Sequence, residues 1–494
     1  MVKDSVSMQS LDRSRLKSCK APSLSKSLQG YVSLLKNNRN YRLYLLSHLC
    51  QHAGDATVNI ATLLSVEHLD PGSGTAVSVV IMCKVIPEIF VTSIGGIIAD
   101  TYDRRKAMIV LDGLGALAAL SFIFAHRSKN VYGLYVAVVL RGFISSLYHP
   151  VTTSITPMMV PDPENLKRTN TLSGTVWSLM FIFGGVFGGY LAGSLGVNSC
   201  FAFDSVLYIL SVILMSKVQG AYNPSEQMTI ESIFDIKTKD ATNKTIRGLL
   251  RSCVNSIWQS AVMTKELVQY LVTCGFGMLI FMKASAALLY GAEDIISVLV
   301  TDIEGDDEDS GRRLGYLYSA QGIGCLLGPI FANITIVDGK RPYTMQFACV
   351  VAIAIAILGW AGLANTATFE MICFFYFVRS LGTSVMYLTS TLLLQNLANV
   401  EMLGRVLSYE KVLSSSCEAG MAFMAGRLQD EGFGARGIAN LSASVGGFLL
   451  VFWSSYHLFG KGAAKQEFRE ILHKDDLPYA EKGEIDSVHS PTMI

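Results

Sequence analysis

The feature that most limits what this chain can fold into is a succession of roughly a dozen apolar runs, each long enough to cross a lipid bilayer. A crossing takes about 20 apolar residues, because the hydrocarbon layer is about 30 Å thick and a helix rises about 1.5 Å per residue. Charged residues make up only 16% of the 494-residue chain, against about 25% in an ordinary soluble domain. Leu, Ile, Val, Phe and Gly take their place in the runs, so the expected fold class is an all-α integral membrane protein in contact with the lipid bilayer. A formal net charge of +1 gives no electrostatic case for nucleic acid as a partner. No HExxH, GxSxG or Walker loop occurs, which argues against an enzyme. The ten cysteines are scattered singly with no CxxC pair. They are expected to be small core residues rather than ligands of a metal or a redox cofactor, and no cofactor is expected.

The runs place spans at about 41–67, 74–99, 107–125, 131–159, 171–195 and 198–216, then at 266–290, 314–334, 343–363, 369–398, 405–428 and 434–459. Residues 1–40 form a polar tail without the apolar segment of a secretory signal. A transit peptide is the alternative there, opposed by Asp4 and Asp12. Residues 217–265 are a polar, basic linker between halves at 41–216 and 266–460, and 461–494 is a second tail. Of the 40 Lys and Arg residues, 29 fall in the tails and in the loops on the side of the termini, six in the opposite loops and five within spans. That asymmetry is expected to hold both termini in the cytoplasm and requires an even number of crossings, twelve here. The membrane itself, plasma or organellar, stays open.

The two halves echo each other. Glu164-Asn165-Leu166-Lys167-Arg168 corresponds to Glu401-Met402-Leu403-Gly404-Arg405 at a shift of 237, and Leu140-Arg141 to Val378-Arg379 at 238. Two six-helix pseudo-repeats with a linker between them place a site at their interface near mid-membrane. The stretch Gly95-Gly96-Ile97-Ile98-Ala99-Asp100-Thr101-Tyr102-Asp103-Arg104-Arg105-Lys106 leaves the bilayer on the positive side and turns tightly into the next span. On Gly96, Asp100, Arg104 and Arg105 the chain resembles the major facilitator superfamily, over about residues 36–460. Asn38-Arg39-Asn40-Tyr41-Arg42, Gly54-Asp55, Pro161-Asp162-Pro163-Glu164-Asn165-Leu166 and Leu403-Gly404-Arg405-Val406 are similar to its macrolide-efflux and enterobactin-exporter branch. The signature departs at Thr101, where arginine is usual. The resemblance implies the twelve-helix fold of that family, with the signature loop acting in conformational gating.

An ionised side chain inside a membrane needs a partner or a task. His48, Gln51, His52, Asp55 and Asn59 recur at spacings of three and four, so they share one face of span one that must look at protein or water. Asp55 is a candidate coupling carboxylate, protonated in one state and ionised in another, or else a cap on a bent helix. Arg141, where the family's antiporters carry an arginine linked to proton handling, either serves coupling or pairs with an acid of span one or two. Lys84 and Glu88, four apart, are expected to satisfy each other along one helix. Lys283 has no acid within four residues and is a substrate or counter-ion candidate; Arg379 mirrors Arg141. Asp204 is expected to pack at a helix end. His48 and His52 have metal-binding spacing but no completing ligand, so no metal site is expected. Glu293 and Asp294, with the acidic turn at 305–309, are expected in a solvated loop.

The combined expectation is a monomeric secondary transporter working by alternating access. The branch resemblance implies proton-coupled export of a small amphipathic or siderophore-like organic substrate. A lipid-translocating or non-transporting, receptor-like member of the same fold is the alternative.

Overall fold

The computed structural model describes residues 24–222, 276–301, 307–335, 342–397 and 400–459. The tails and nearly all of the expected linker lie outside these residues. Helix α1 (Leu24–Asn37) leads into the first half, made of α2 (Arg39–Leu69), α3 (Gly74–Thr101), α4 (Arg104–Arg127), α5 (Val131–Met159), α6 (Pro163–Leu195) and α7 (Val197–Ser216). The second half holds α8 (Phe276–Tyr290), α9 (Glu293–Thr301), α10 (Asp307–Thr335), α11 (Pro342–Asn365), α12 (Phe369–Leu397), α13 (Val400–Asp430) and α14 (Ala435–Phe459). Helices α8 and α9 follow one another as a single crossing over Ile280–Thr301.

Nine of these crossings are apolar enough to be recognised by length and composition alone, among the described residues. The other three are α2, α10 and α13, which carry more polar and charged residues. Helix starts are set by short polar caps. Asn38 accepts from the Tyr41 amide, Ser73 from that of Ala76, Asp103 from those of Arg105 and Lys106, and Asp162 from that of Asn165. Each satisfies backbone donors that would otherwise stay open at a helix end.

The halves repeat one packing scheme. In the first, α3 packs on α5, α4 on α5 and α7, and α2 on α6; in the second, α10 packs on α12, α11 on α12 and α14, and α8 on α13. The chain is thus an all-α bundle of twelve crossings in two six-helix pseudo-repeats.

The halves join through α6 with α10 and through α3 with α13. Call the membrane face at the start of α2 and the end of α14 the termini face, and the other the far face. Near the far face, Gly185 and Gly189 of α6 lie directly against Gly311 and Gly315 of α10, where a Cβ would strike backbone. Their neighbours Gly184 and Gly188 face α2 at Ala56 and Thr57 instead. The glycines of this span therefore serve two close-packed faces, one within the half and one between halves. Ser319 donates to the Ile182 carbonyl at 2.8 Å across the same seam. On the other seam Asp430, at the end of α13, caps α3 by accepting from the Gly74 amide at 2.8 Å and the Thr75 amide at 3.2 Å. All of these contacts lie toward the far face and hold the halves together there.

Candidate functional site

Among the described residues α5, α8 and α12 make no substantial packing across the halves, which leaves a cleft between them, and charged side chains gather on these helices and their neighbours. Arg141 of α5 stands between two carboxylates. Its Nη1 donates to Asp204 Oδ2 of α7 at 2.5 Å, and its Nη2 to Asp55 Oδ1 of α2 at 2.5 Å and to Asp204 Oδ1 at 3.3 Å. The guanidinium lies 5.2 Å from the centroid of the Tyr208 ring, close enough for cation–π attraction. The two acids differ in setting: the Asp204 side chain is 0% exposed and that of Asp55 51%. Gly54 makes room for the triad, since a Cβ there would run into the Asp204 carboxylate. Asp204 was expected at a helix end and is instead the buried member of the cluster, because α7 packs its middle against α2 and α4.

Beside the triad the polar face of α2 is satisfied within its half. His48 Nδ1 and His52 Nε2 lie 3.2 Å apart, and His48 Nε2 is 3.1 Å from the Tyr44 hydroxyl. His52 reaches Asp55 at 3.8 Å. The imidazoles are thus engaged with each other and with their neighbours. Gln51 donates to Asp112 of α4, which also accepts from Ser211 at 2.7 Å. Asp112 is fully buried and went unnoticed in the sequence, where one acid in an apolar run carries no partner signal.

Lys84 and Glu88 do not face each other. Lys84 donates to Asn59 of α2 at 2.5 Å, and Glu88 pairs with Lys411 of α13 at 3.0 Å. Lys ahead of Glu is the weaker order for a pair along one helix, and neighbouring helices offer both residues better partners. The Glu88–Lys411 pair joins the halves at mid-membrane, and both side chains are partly exposed.

In the second half Lys283 of α8 pairs with Glu410 of α13 at 2.8 Å, donates to Thr391 at 3.1 Å and lies 4.0 Å from the Tyr387 ring centroid. Its acid is far away in sequence. Arg379 of α12 pairs with Glu293, the first residue of α9, and stacks near Trp360 and Tyr376 at 5.1 and 5.4 Å. Glu293 therefore leaves the solvated loop in which it was expected. Span seven continues past Gly291-Ala292 to Thr301 rather than ending at residue 290, because Arg379 neutralises Glu293 and the Tyr318 hydroxyl donates to Asp294 at 2.5 Å. The repeat held the missed signal: Asp55 and Glu293 are 238 positions apart, as are Arg141 and Arg379.

The signature loop is braced inside the first half. Arg105 donates to the Met215 carbonyl at 3.1 Å and to that of Ser216 at 2.5 Å, closing the end of α7. Arg104 is buried beside Met158, and its amide donates to the Tyr222 carbonyl at 3.2 Å. Gly95, rather than Gly96, makes the tight crossing, against the backbone of Ser146 and Leu147 on α5, while Gly96 faces open space. Asp100 lies in the last turn of α3; its side chain lies outside what is described. The Asn38-to-Arg42 motif is also a brace. Asn38 donates to the Met159 carbonyl at 2.9 Å, and Asn40 donates to the Gln219 carbonyl at 2.8 Å and accepts from the Gln219 amide at 3.1 Å.

Residues 44–417 match the model of the Major Facilitator Superfamily. Among curated proteins, the chain is 21% identical over 228 residues to the MFS-type transporter YkuC of Bacillus subtilis, covering 46% of this chain and 52% of that one. It is 22% identical over 332 residues to the multidrug efflux pump Tap of Mycolicibacterium fortuitum, covering 64% and 73%. The chain spans about half the length of YkuC and of its Bacillus relative YfiS. Among solved structures, the nucleoside transporter NupG superposes with a TM-score of 0.61 at 12% identity, covering 85% of this chain and 98% of that one. A bacterial homologue of the iron transporter ferroportin, in its inward-facing state, gives 0.57 at 16%, covering 85% and 98%. These superpositions bear on the fold alone.

Proposed function

This chain belongs to the major facilitator superfamily, and on that premise we propose that it is a secondary transporter exporting a small amphipathic organic molecule in exchange for protons. The single observation that carries coupling is the triad. Arg141 is shared by a buried carboxylate and a half-exposed one. When Asp55 takes a proton, Arg141 and Asp204 remain a matched pair. When Asp55 releases it, the cluster carries one net negative charge on its wet side, where water screens it. Both states are tolerable, because neither strands a buried charge. A group with two tolerable protonation states at the wall of a cleft can exchange protons with the open side and carry them across when the cleft reverses.

Export is favoured by the relatives named as efflux pumps, and an amphipathic cargo by charged side chains that stand beside aromatic rings, Glu418 with Tyr290 and Lys283 with Tyr387. On this reading the termini face is cytoplasmic, as the Lys and Arg distribution favours, and the state described is open to the cytoplasm. Arg104 and Arg105 would act in gating by holding the loop to α7 as the half moves as one body.

The test is flux of a fluorescent amphipathic cation from proteoliposomes under an imposed pH gradient. The native protein is expected to respond to the gradient, and Asp55→Asn to lose that response while eluting as the same folded species. An unchanged response in Asp55→Asn removes the residue from coupling. Phospholipid scrambling with no dye movement would favour the lipid-translocating alternative.

A further inference from the structure

The 238-residue offset brings together two copies of one device, Asp55 with Arg141 and Glu293 with Arg379, on corresponding crossings of the two halves. The copies are in opposite conditions. The first is open to the cleft, while Glu293 and Arg379 have side chains only 8% and 1% exposed. The position equivalent to Asp204 is Ser442, whose hydroxyl donates to its own helix at Ile438. The second arginine therefore has one acid where the first has two. Its Nη2 donates to Glu293 and to Ser380, at 3.0 Å for the latter, while Nε and Nη1 are buried with no hydrogen-bond partner among the described residues. Unpaired buried donors on a charged group are costly, so this guanidinium is held short of its full set of acceptors.

We infer that Glu293 is a second proton-exchange site of the transporter, closed in the state described and opened when the cleft reverses to the far face. The inference rests on the proposed transport function and extends it, since each half then exchanges protons on its own side of the membrane. Its physical basis is the difference in acid count. Protonating Asp55 leaves Arg141 with Asp204. Protonating Glu293 in the sealed state would strand Arg379 in a dry pocket, so Glu293 exchanges only once water has reached the pair.

The placement of α9 supplies the opening. This short helix begins at Glu293 and packs against α2 and α3 of the first half as well as α10, α13 and α14 of its own. Parting the far-face seam uncovers it. The groups facing Glu293 are Arg379 and Tyr376 from α12, Cys325 from α10 and Glu418 from α13, together with Asp294 on its own helix, which Tyr318 of α10 holds. Arg379 is the only cation among them, so release of its carboxylate by protonation changes the balance of the whole pocket.

The test uses dicyclohexylcarbodiimide, a membrane-soluble reagent that attacks carboxyls when they are protonated and within its reach, on the full-length protein in nanodiscs, with modified residues mapped by peptide mass spectrometry. The native protein should be modified at Asp55, and to a lesser extent at Glu293, more in mildly acid than in mildly alkaline buffer. Gly315→Leu, which wedges the far-face seam at Gly185 and Gly189, should raise modification of Glu293 by about fivefold or more and lower that of Asp55. If that variant does not fold, Gly189→Ala, in the same seam, should move both sites the same way. Modification of Asp55 with none at Glu293 in native and wedged protein overturns the inference and leaves the proposed function standing. So does equal modification of Glu293 in native and wedged protein. No modification at either residue overturns both.

Discussion

Asp204→Asn and Asp55→Asn remove one carboxylate each from the same arginine, yet their effects on stability should be far apart. Asp204 is fully buried and holds Arg141 through two contacts, at 2.5 and 3.3 Å. Breaking a buried ion pair from one side costs about 3–5 kcal/mol, because the surviving charge is left behind. Arg141 keeps Asp55 as a partner, which puts the expected loss near the lower end, about 3 kcal/mol. Asp55 is half exposed, and an ion pair that water can reach contributes about 1 kcal/mol or less. For a cooperative unit the size of one half, 1 kcal/mol moves the melting temperature by about 2–4 °C. Asp204→Asn should therefore lower it by about 6–12 °C, and Asp55→Asn by no more than about 4 °C. The measurement is thermal unfolding of the purified protein in detergent, at one scan rate throughout because membrane proteins commonly unfold irreversibly. A double variant, Arg141→Met with Asp204→Leu, should recover most of the loss by replacing the pair with apolar volume. Equal drops for the two single variants, or no recovery in the double, would refute the assignment of Asp204 as the buried anchor and Asp55 as the free partner.

Three further outcomes follow from the same geometry. Lys411→Glu sets like charges against Glu88 across the halves and should shift the balance between the two cleft openings by about 1 kcal/mol, or about fivefold; Glu88→Lys in the same chain should restore it, read as dye flux. Gly54→Ala pushes a methyl into the Asp204 carboxylate and should destabilise by about 1–3 kcal/mol, the usual range for overpacking, read by the same thermal assay. Asn40→Ala removes two hydrogen bonds to Gln219 and one to Tyr222, each worth about 1 kcal/mol, and should quicken protease cleavage after α7.

The architecture was legible because its causes are local in sequence. Run length gives a crossing, polar residues such as Asn38, Ser73 and Asp162 give helix starts, and the repeat offset gives two halves. Charge partnership was much less legible, since a side chain's partner depends on which helices touch. Lys283 looked isolated until α8 was laid against Glu410 of α13. Lys84 and Glu88 were matched by spacing and separated by packing. Glu293 and Asp294 looked like the end of a span because acids in lipid are costly, and only the facing Arg379 and Tyr318 remove that cost. For the signature loop, resemblance implies gating, and the contacts of Arg105 show how the loop is tied to the end of α7.

The internal cations divide into those fixed within one half and the one that bridges. Arg141, Lys283 and Arg379 each find acids in their own half, and Lys84 an amide. The helices that carry such pairs move together when a half moves as a body, so reversal of the cleft changes the wetting and protonation of these pairs rather than their partners. Among the internal cations of the described residues, Lys411 alone meets an acid of the other half, and its pairing must change when the seams exchange. A partly exposed pair is weak, about 1 kcal/mol or less, and a weak bond suits that place. It biases the equilibrium without trapping it, whereas a dry pair of several kcal/mol between the halves would hold one state at more than 99%. The strong pairs therefore lie within one half and the weak one where the halves part, which leaves the two cleft states close enough in free energy to exchange.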